Sequence, residues 1–301
     1  MKKILVTGAN GLLGQKLVFL LSTQKDIEVI PTGRGPARID FHDLKYLDID
    51  LSNRNQVFAD ILKIAPSHIM HAAAITQVDI CETDKEFCRT NNVIASENLI
   101  EVALELHAYF QYISTDFVFD GKGGPYNESD PPNPVNFYGK SKYAVEQILA
   151  STPLEYSIVR TVLVYGVGEN MSRSNLVLWV KNKLEKGEPI RVVNDQWRTP
   201  TLVEDLAMGC YKVLEKKATG IFHISGKDYL TPYDIALQVA DLFGLDRRLI
   251  SPTNAAEFQE VGTRPLRTGF DISKARKELN YEPVPLERGL HIVREQIGIR
   301  E

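Results

Sequence analysis

Short apolar runs alternate with longer amphipathic segments through the first 160 residues of this 301-residue chain. "KILVTG", "IEVIPTGR", "LKYLDID" (ending near Asp48), "SHIMHAAA", "YFQYIST" and "EYSIVRTVLVYG" read as strands. Between them, about Gly11 to Thr23, "NRNQVFADILKI", "KEFCRTNNVIASENLIEVALELH" and the segment around Tyr138 carry the helical period. Strands alternating with helices predict parallel βαβ units in a doubly wound α/β sheet.

Beyond Gly166 the alternation loosens. "SNLVLWVKNKLEKG" and "LVEDLAMGCYKVLEK" read as helices, "PIRVV" and "GIFHISG" as strands. "TPYDIALQVADLFG" reads as a helix with Thr231 as N-cap and Pro232 in its first turn. The last 30 residues predict one or two short helices. The pattern divides the chain into residues 1–165, a Rossmann-type nucleotide-binding domain, and residues 166–301, a smaller α/β substrate-binding region, which can interleave in space. The glycine- and proline-rich loop from Asp116 to Asn136 is long enough to suggest a functional role.

Composition narrows the class. Hydrophobic residues make up 44% and charged residues 25%, as in ordinary globular proteins. A net charge of −4 without long single-sign runs argues against nucleic-acid or membrane-surface partners. No apolar stretch approaches the roughly 18 residues of a membrane span. The apolar run after Lys2 and Lys3 is shorter than a secretory core of about 7–15 residues, so a cytoplasmic location is expected. The three cysteines, Cys81, Cys88 and Cys210, suit a reducing compartment and suggest neither a disulfide framework nor a metal site.

Two local patterns carry chemistry. "TGANGLLG" sets Gly8, Gly11 and Gly14 between a strand and a helix. There glycines permit a tight turn, close approach of a pyrophosphate and close helix–strand packing, and the helix N-terminus offers free N–H groups. In "NFYGKSKYAVEQILA", Tyr138 and Lys142 are four residues apart and share one helical face. Taken alone, that pair reads first as a packed tyrosine on a solvated helix. Lys140 falls one position short of the spacing and reads as solvated, and Tyr143 as packing.

The Gly-x-x-Gly-x-x-Gly turn resembles that of the extended short-chain dehydrogenases/reductases. "HAAA", "NNV", "STDFVFDG" and "YGKSK" match that class in order. "STDFVFDG", "ESDPPNPVNFYGKSK", "VRTVLVYG" and "VNDQWRTPTLVEDLA" resemble the dTDP-4-dehydrorhamnose reductase branch, which also includes the regulatory β subunit of methionine adenosyltransferase. The resemblance implies NAD(P)H-dependent reduction of a 4-keto nucleoside-diphosphate sugar, with Tyr138 giving the proton. Thr115 would hydrogen-bond the same oxygen, and Lys142 would lower the phenol pKa and hold the nicotinamide ribose. It carries cofactor contacts to Gly8, Asn10, Gly11, Leu12, Leu13, Gly14, Arg34, Asp50, Leu51, Ala72, Ala73, Ala74, Asn92, Tyr138 and Lys142. Substrate contacts fall on Thr76, Val78, Asp116, Arg198 and Arg264, the last reading equally as a surface arginine. A homodimer is also implied.

Three features refine the expectation. The end of the second strand, Thr32-Gly33-Arg34, lacks the acidic residue that selects NAD(H), and Arg34, with Arg38 as a second candidate, suits a 2′-phosphate. NADP(H) is therefore expected over NAD(H), which disfavours an epimerase. Asp116 is not followed by Glu, which disfavours a dehydratase. Leu163 stands where the reductases carry a tryptophan beside the sugar, so a wider pocket is expected. The competing reading is a non-catalytic NADP-binding regulatory subunit.

Overall fold

The computed structural model describes residues 1–257 and 261–298. Strands β1 (Lys2–Thr7), β2 (Ile27–Gly33), β3 (Leu47–Asp48), β4 (His68–His71), β5 (Tyr109–Thr115) and β6 (Tyr156–Thr161) belong to one parallel sheet. Helices α1 (Leu12–Ser22), α2 (Arg54–Ile64), α3 (Val78–Thr83), α4 (Lys85–Arg89), α5 (Ala95–Leu106) and α6 (Phe137–Ala150) lie between them in the chain. Then follow β7 (Val164–Tyr165), α7 (Leu176–Glu185), β8 (Ile190–Val193), β9 (Thr201–Leu202), α8 (Val203–Glu215) and β10 (Gly220–His223). The remaining elements are α9 (Pro232–Phe243), β11 (Ile250–Thr253), α10 (Ser273–Leu279) and α11 (Leu286–Gly298).

The seven-stranded sheet runs β10-β6-β5-β4-β1-β2-β3. Strand order reverses between β1 and β4, and a ligand crevice opens at the carboxyl ends of strands at such a point. The strands are buried on both faces. Leu17, Val18 and Leu21 of α1 pack with Leu206, Cys210 and Val213 of α8 on one face. Val57, Leu99, Val102, Val145 and Leu149 cover the other. Each buried aliphatic side chain contributes about 1.5–3 kcal/mol relative to exposure. A separate small core joins α7, α9 and α11 with the β8–β11 pair. β10 comes from the C-terminal half yet completes the main sheet beside β6.

The predicted Thr231 N-cap is present as a capping box with Asp234, and Pro232 opens α9. Three segments differ from the sequence reading. The long helix after Asp84 changes at Thr90–Ile94 to a π-turn before continuing as α5. The strand read through "EYSIVRTVLVYG" breaks at Leu163, whose φ of 37° lies in the left-handed region that an extended strand cannot include. Cys81 and Cys88 form a disulfide, contrary to the expectation of none. α3 and α4 are separated by Asp84 alone, and this sharp corner brings the two Cα atoms to 5.0 Å. Among the described residues, no helix is long and apolar enough to cross a membrane.

Candidate active site

The glycine turn leaves β1 at Gly8, with φ 70°. A Cβ there would stand 2.8 Å from the Ala73 nitrogen and 3.0 Å from the Ala72 carbonyl carbon. The turn therefore lies directly against the end of β4. Gly11 caps α1 without a side-chain hydrogen bond, and no acidic residue occupies the helix's first turn. The Ala9 and Gly11 amides are taken by the Thr32 and Gly8 carbonyls, but the first N–H groups of the helix itself, those of Leu12 and Leu13, have no intrahelical acceptor and suit an anion, and the floor of small residues Ala72, Ala73 and Ala74 leaves room beside it. This cradle fits a dinucleotide pyrophosphate.

Asn10, Arg34, Asp50 and Leu51, the residues expected on the adenosine side, lie in or beside the loops that follow β2 and β3. Asn10 donates to the Pro36 carbonyl at 3.1 Å and accepts from the Arg38 amide at 2.9 Å, shaping the loop after β2. Arg34 is exposed at the end of β2 and donates to Asn91 Oδ1 at 2.8 Å. The nearby Asp48 carboxylate accepts from the Gly35 amide at 2.7 Å. Asp50 closes a local turn with Ser52, and the Leu51 carbonyl accepts from Asn98.

The catalytic candidates converge through α6. Its N-cap Asn136 accepts from the Gly139 amide and donates to the Thr263 carbonyl, both at 2.8 Å. A Cβ on Gly139 would lie 2.1 Å from the Phe117 carbonyl oxygen. Glycine lets the first helical turn rest on the backbone just past β5, and that contact sets Tyr138 beside Thr115. The Thr115 hydroxyl interacts with the Tyr138 phenol and donates to Asp116 Oδ1 at 3.1 Å. One turn on, Lys142 is buried, with Nζ 4.1 Å from the centre of the Tyr112 ring. Behind it, Glu146 forms a buried pair with Arg160 at 2.6 Å and accepts from Ser114.

Burial dominates the electrostatics. It pushes the Tyr138 phenol up to about 12, assisted by Asp116 and opposed by the Thr115 hydrogen bond and the charge of Arg173. The expected lowering of the phenol by Lys142 is therefore not the ruling effect in the ligand-free site. Burial pulls Lys142 itself down to about 7 against the opposing pull of Glu146, so its ammonium is only partly charged near neutral pH.

Other expected residues serve the scaffold. Asn92 lies in the π-turn, accepts from the Ile75 amide at 2.7 Å, and donates to the Ile75 carbonyl and Ser141 Oγ at 3.0 Å. Its carboxamide thus ties the chain after β4 to the catalytic helix. Val78 packs with Tyr138 and the cysteine pair. Asp116 accepts from Thr268 and lies 3.7 Å from Arg198 Nε. Arg198 is buried and donates to the carbonyls of Trp197, Pro265 and Leu266. Arg264 makes a two-pronged pair with Asp79 at 2.8 and 3.0 Å.

Sequence reasoning passed over Gln15, His71 and Arg173. Gln15 exchanges hydrogen bonds with the backbone of Glu169, both at 2.8 Å, fastening the segment after β7 over α1. His71 bridges Thr7 and Ser96, and burial pulls its pKa down to about 3, so it is a neutral strut beneath the crevice. Arg173 reaches Thr76 Oγ1 from the same segment as Glu169. A buried polar residue at a strand end could have flagged His71. Nothing local in the sequence marks Arg173.

The parallel sheet, the glycine turn at its switch point and the Thr115, Tyr138 and Lys142 grouping define a protein of the extended short-chain dehydrogenase/reductase class. Within that class the chain belongs to the RmlD substrate binding domain family, which it matches over residues 1–297. It is 34% identical to methionine adenosyltransferase 2 subunit beta of Xenopus laevis, over 92% of this chain and 82% of that protein. It is 30% identical to a probable low-salt glycan biosynthesis reductase, Agl14, of Haloferax volcanii, over 95% of each. Among solved structures, a dTDP-4-dehydrorhamnose reductase from Clostridium acetobutylicum superposes with a TM-score of 0.87 at 32% identity, covering 98% of this chain and 99% of that one. The Bacillus anthracis dTDP-4-dehydrorhamnose reductase in complex with NADP gives 0.85 at 30% identity, covering 98% and 100%.

Proposed function

We propose that this protein is an NADPH-dependent reductase of a 4-keto group on a nucleoside-diphosphate sugar. The observation that carries the reading is the Thr115 hydroxyl set against the Tyr138 phenol, one helical turn from a buried Lys142, at the open end of the sheet. A phenol pushed up to about 12 stays protonated at neutral pH and is a loaded proton donor. Thr115 orients the carbonyl oxygen and shares the charge that develops on it. Lys142, once charged, holds ribose hydroxyls and returns positive charge to the phenol's surroundings. The nicotinamide, when bound, supplies the hydride. Arg34 and Arg38, exposed beyond β2, supply the positive charge for a 2′-phosphate. Residues 166–301 would then form most of the substrate side.

Tyr138→Phe tests the assignment. Turnover should fall by at least about a hundredfold, the size of a lost general acid, with NADPH binding retained. Normal turnover in this variant would sink the role of Tyr138.

The likeness to methionine adenosyltransferase 2 subunit beta favours a second reading, a regulatory subunit that keeps the nucleotide site. NADPH oxidation across a panel of 4-keto nucleotide sugars separates the two. Activity on any member supports the reductase. No activity, together with binding to a methionine adenosyltransferase catalytic subunit, supports the regulator.

A further inference from the structure

A nucleoside-diphosphate sugar brings a diphosphate into the crevice, and the two arginines expected among the substrate contacts face other partners. Arg264 is engaged by the Asp79 carboxylate through both terminal nitrogens. Arg198 is buried among Asp116 and three backbone carbonyls. Lys122 and Arg267 line, with Arg264, a separate cleft of about 420 Å³ to which neither Thr115 nor Tyr138 contributes.

Arg173 differs from all of these. It is exposed, and its guanidinium donates to the neutral Thr76 hydroxyl just beyond β4. Its charge is felt at the Tyr138 phenol. The segment that carries it is fixed at its other end. Gln15 holds the Glu169 backbone in both directions, and Asn170 donates to the Arg38 carbonyl at 2.7 Å. The strap therefore begins over the glycine turn, crosses the crevice and delivers a cation to its substrate side.

We propose that Arg173 receives the diphosphate of the nucleotide-sugar substrate, exchanging its Thr76 hydrogen bond for phosphate oxygens. This inference rests on the reductase reading and names the residue that selects a charged, nucleotide-linked sugar over a free one. A planar guanidinium can meet two phosphate oxygens at once, which a hydroxyl such as Thr76 cannot match in charge or geometry.

The test is calorimetric titration of the protein, saturated with NADPH, with dTDP and with UDP. Arg173→Gln should weaken the preferred nucleoside diphosphate by about ten- to a hundredfold, the range for a charged hydrogen bond, with NADPH affinity unchanged. Arg173→Lys should recover part of the loss. Equal nucleoside-diphosphate binding by wild type and Arg173→Gln overturns the proposal while leaving the reductase reading intact. So does a loss confined to Arg267→Gln, or a parallel loss of NADPH affinity in Arg173→Gln. If wild type binds neither diphosphate and reduces no 4-keto nucleotide sugar, the reductase reading fails, and the proposal falls with it.

Discussion

Binding of NADPH should draw a proton from solution, and Lys142 should be its destination. In the ligand-free protein this lysine is pulled down from an ordinary value of 10.5 to about 7 by burial, with the Glu146 carboxylate opposing. The Tyr112 ring lies against its ammonium, the Tyr138 phenol stands one turn earlier, and neutral His71 approaches from β4. At pH 8 a group titrating near 7 is only about one-tenth charged. Ribose hydroxyls accepting from the ammonium favour its charged form, so the complex should take up close to one proton at pH 8 and about a tenth of one at pH 6. NADPH affinity should fall about tenfold per pH unit above 7 until the lysine pKa in the complex is reached. Titrations in buffers of different ionisation enthalpy measure the uptake directly. The stability sign follows from the same shift. Between about 7 and 10.5 the unfolded chain binds a proton that the native protein does not, so this group makes native stability rise with pH through that window. Lys142→Met should abolish both the uptake and that rise. Uptake that survives in Lys142→Met, or no uptake in wild type at pH 8, would refute the argument.

Two further outcomes follow from the binding sites. Arg34→Ala should lower the ratio of kcat/KM for NADPH over NADH by about one to two powers of ten, the worth of a charged hydrogen bond of roughly 1.5–3 kcal/mol; a wild-type preference for NADH, or a ratio untouched by the change, counts against the role of this arginine. If Leu163 stands beside the sugar where the reductases carry a tryptophan, the pocket is wider there, so dTDP-4-dehydrorhamnose should be a poor substrate beside some other 4-keto nucleotide sugar, and ranking first in a broad panel would contradict this.

The parts of the fold legible in the sequence are those where local pattern and long-range packing agree. β1, the glycine turn and α1 are written contiguously, and each step has a physical reason visible in the residue types. The same holds for α9, where Thr231, Pro232 and Asp234 mark the helix start by themselves. What was not legible depends on distant partners. Leu163 has no local reason to adopt φ 37°; its carbonyl is met by the Thr201 amide at 3.2 Å, from β9 some forty residues later. The Cys81–Cys88 pairing depends on the corner at Asp84, where α3, absent from the sequence reading, meets α4.

The charged residues of the site divide along the same line. Tyr138 and Lys142 are recognisable because one helix fixes their spacing. Which arginine faces solvent and which supports the scaffold is decided by segments far apart in the chain. Arg198 and Arg264 both occur in motif-like surroundings, yet the carboxylates of Asp116 and Asp79 meet them in the folded protein. Removing either carboxylate would take a charged partner from a cation in a partly or fully buried position, which is costly. Their first task is therefore to hold the Pro265–Thr268 stretch and the Asp79 helix against the catalytic turn. Arg173 lies in a segment with no recognisable motif, but Gln15 of α1 and Thr76 beyond β4 meet that segment from opposite sides of the crevice. Arg173 thus belongs to a late segment of the chain that residues from its early part hold in place. Its position depends on the fold closing around it, which a motif search along the chain cannot detect.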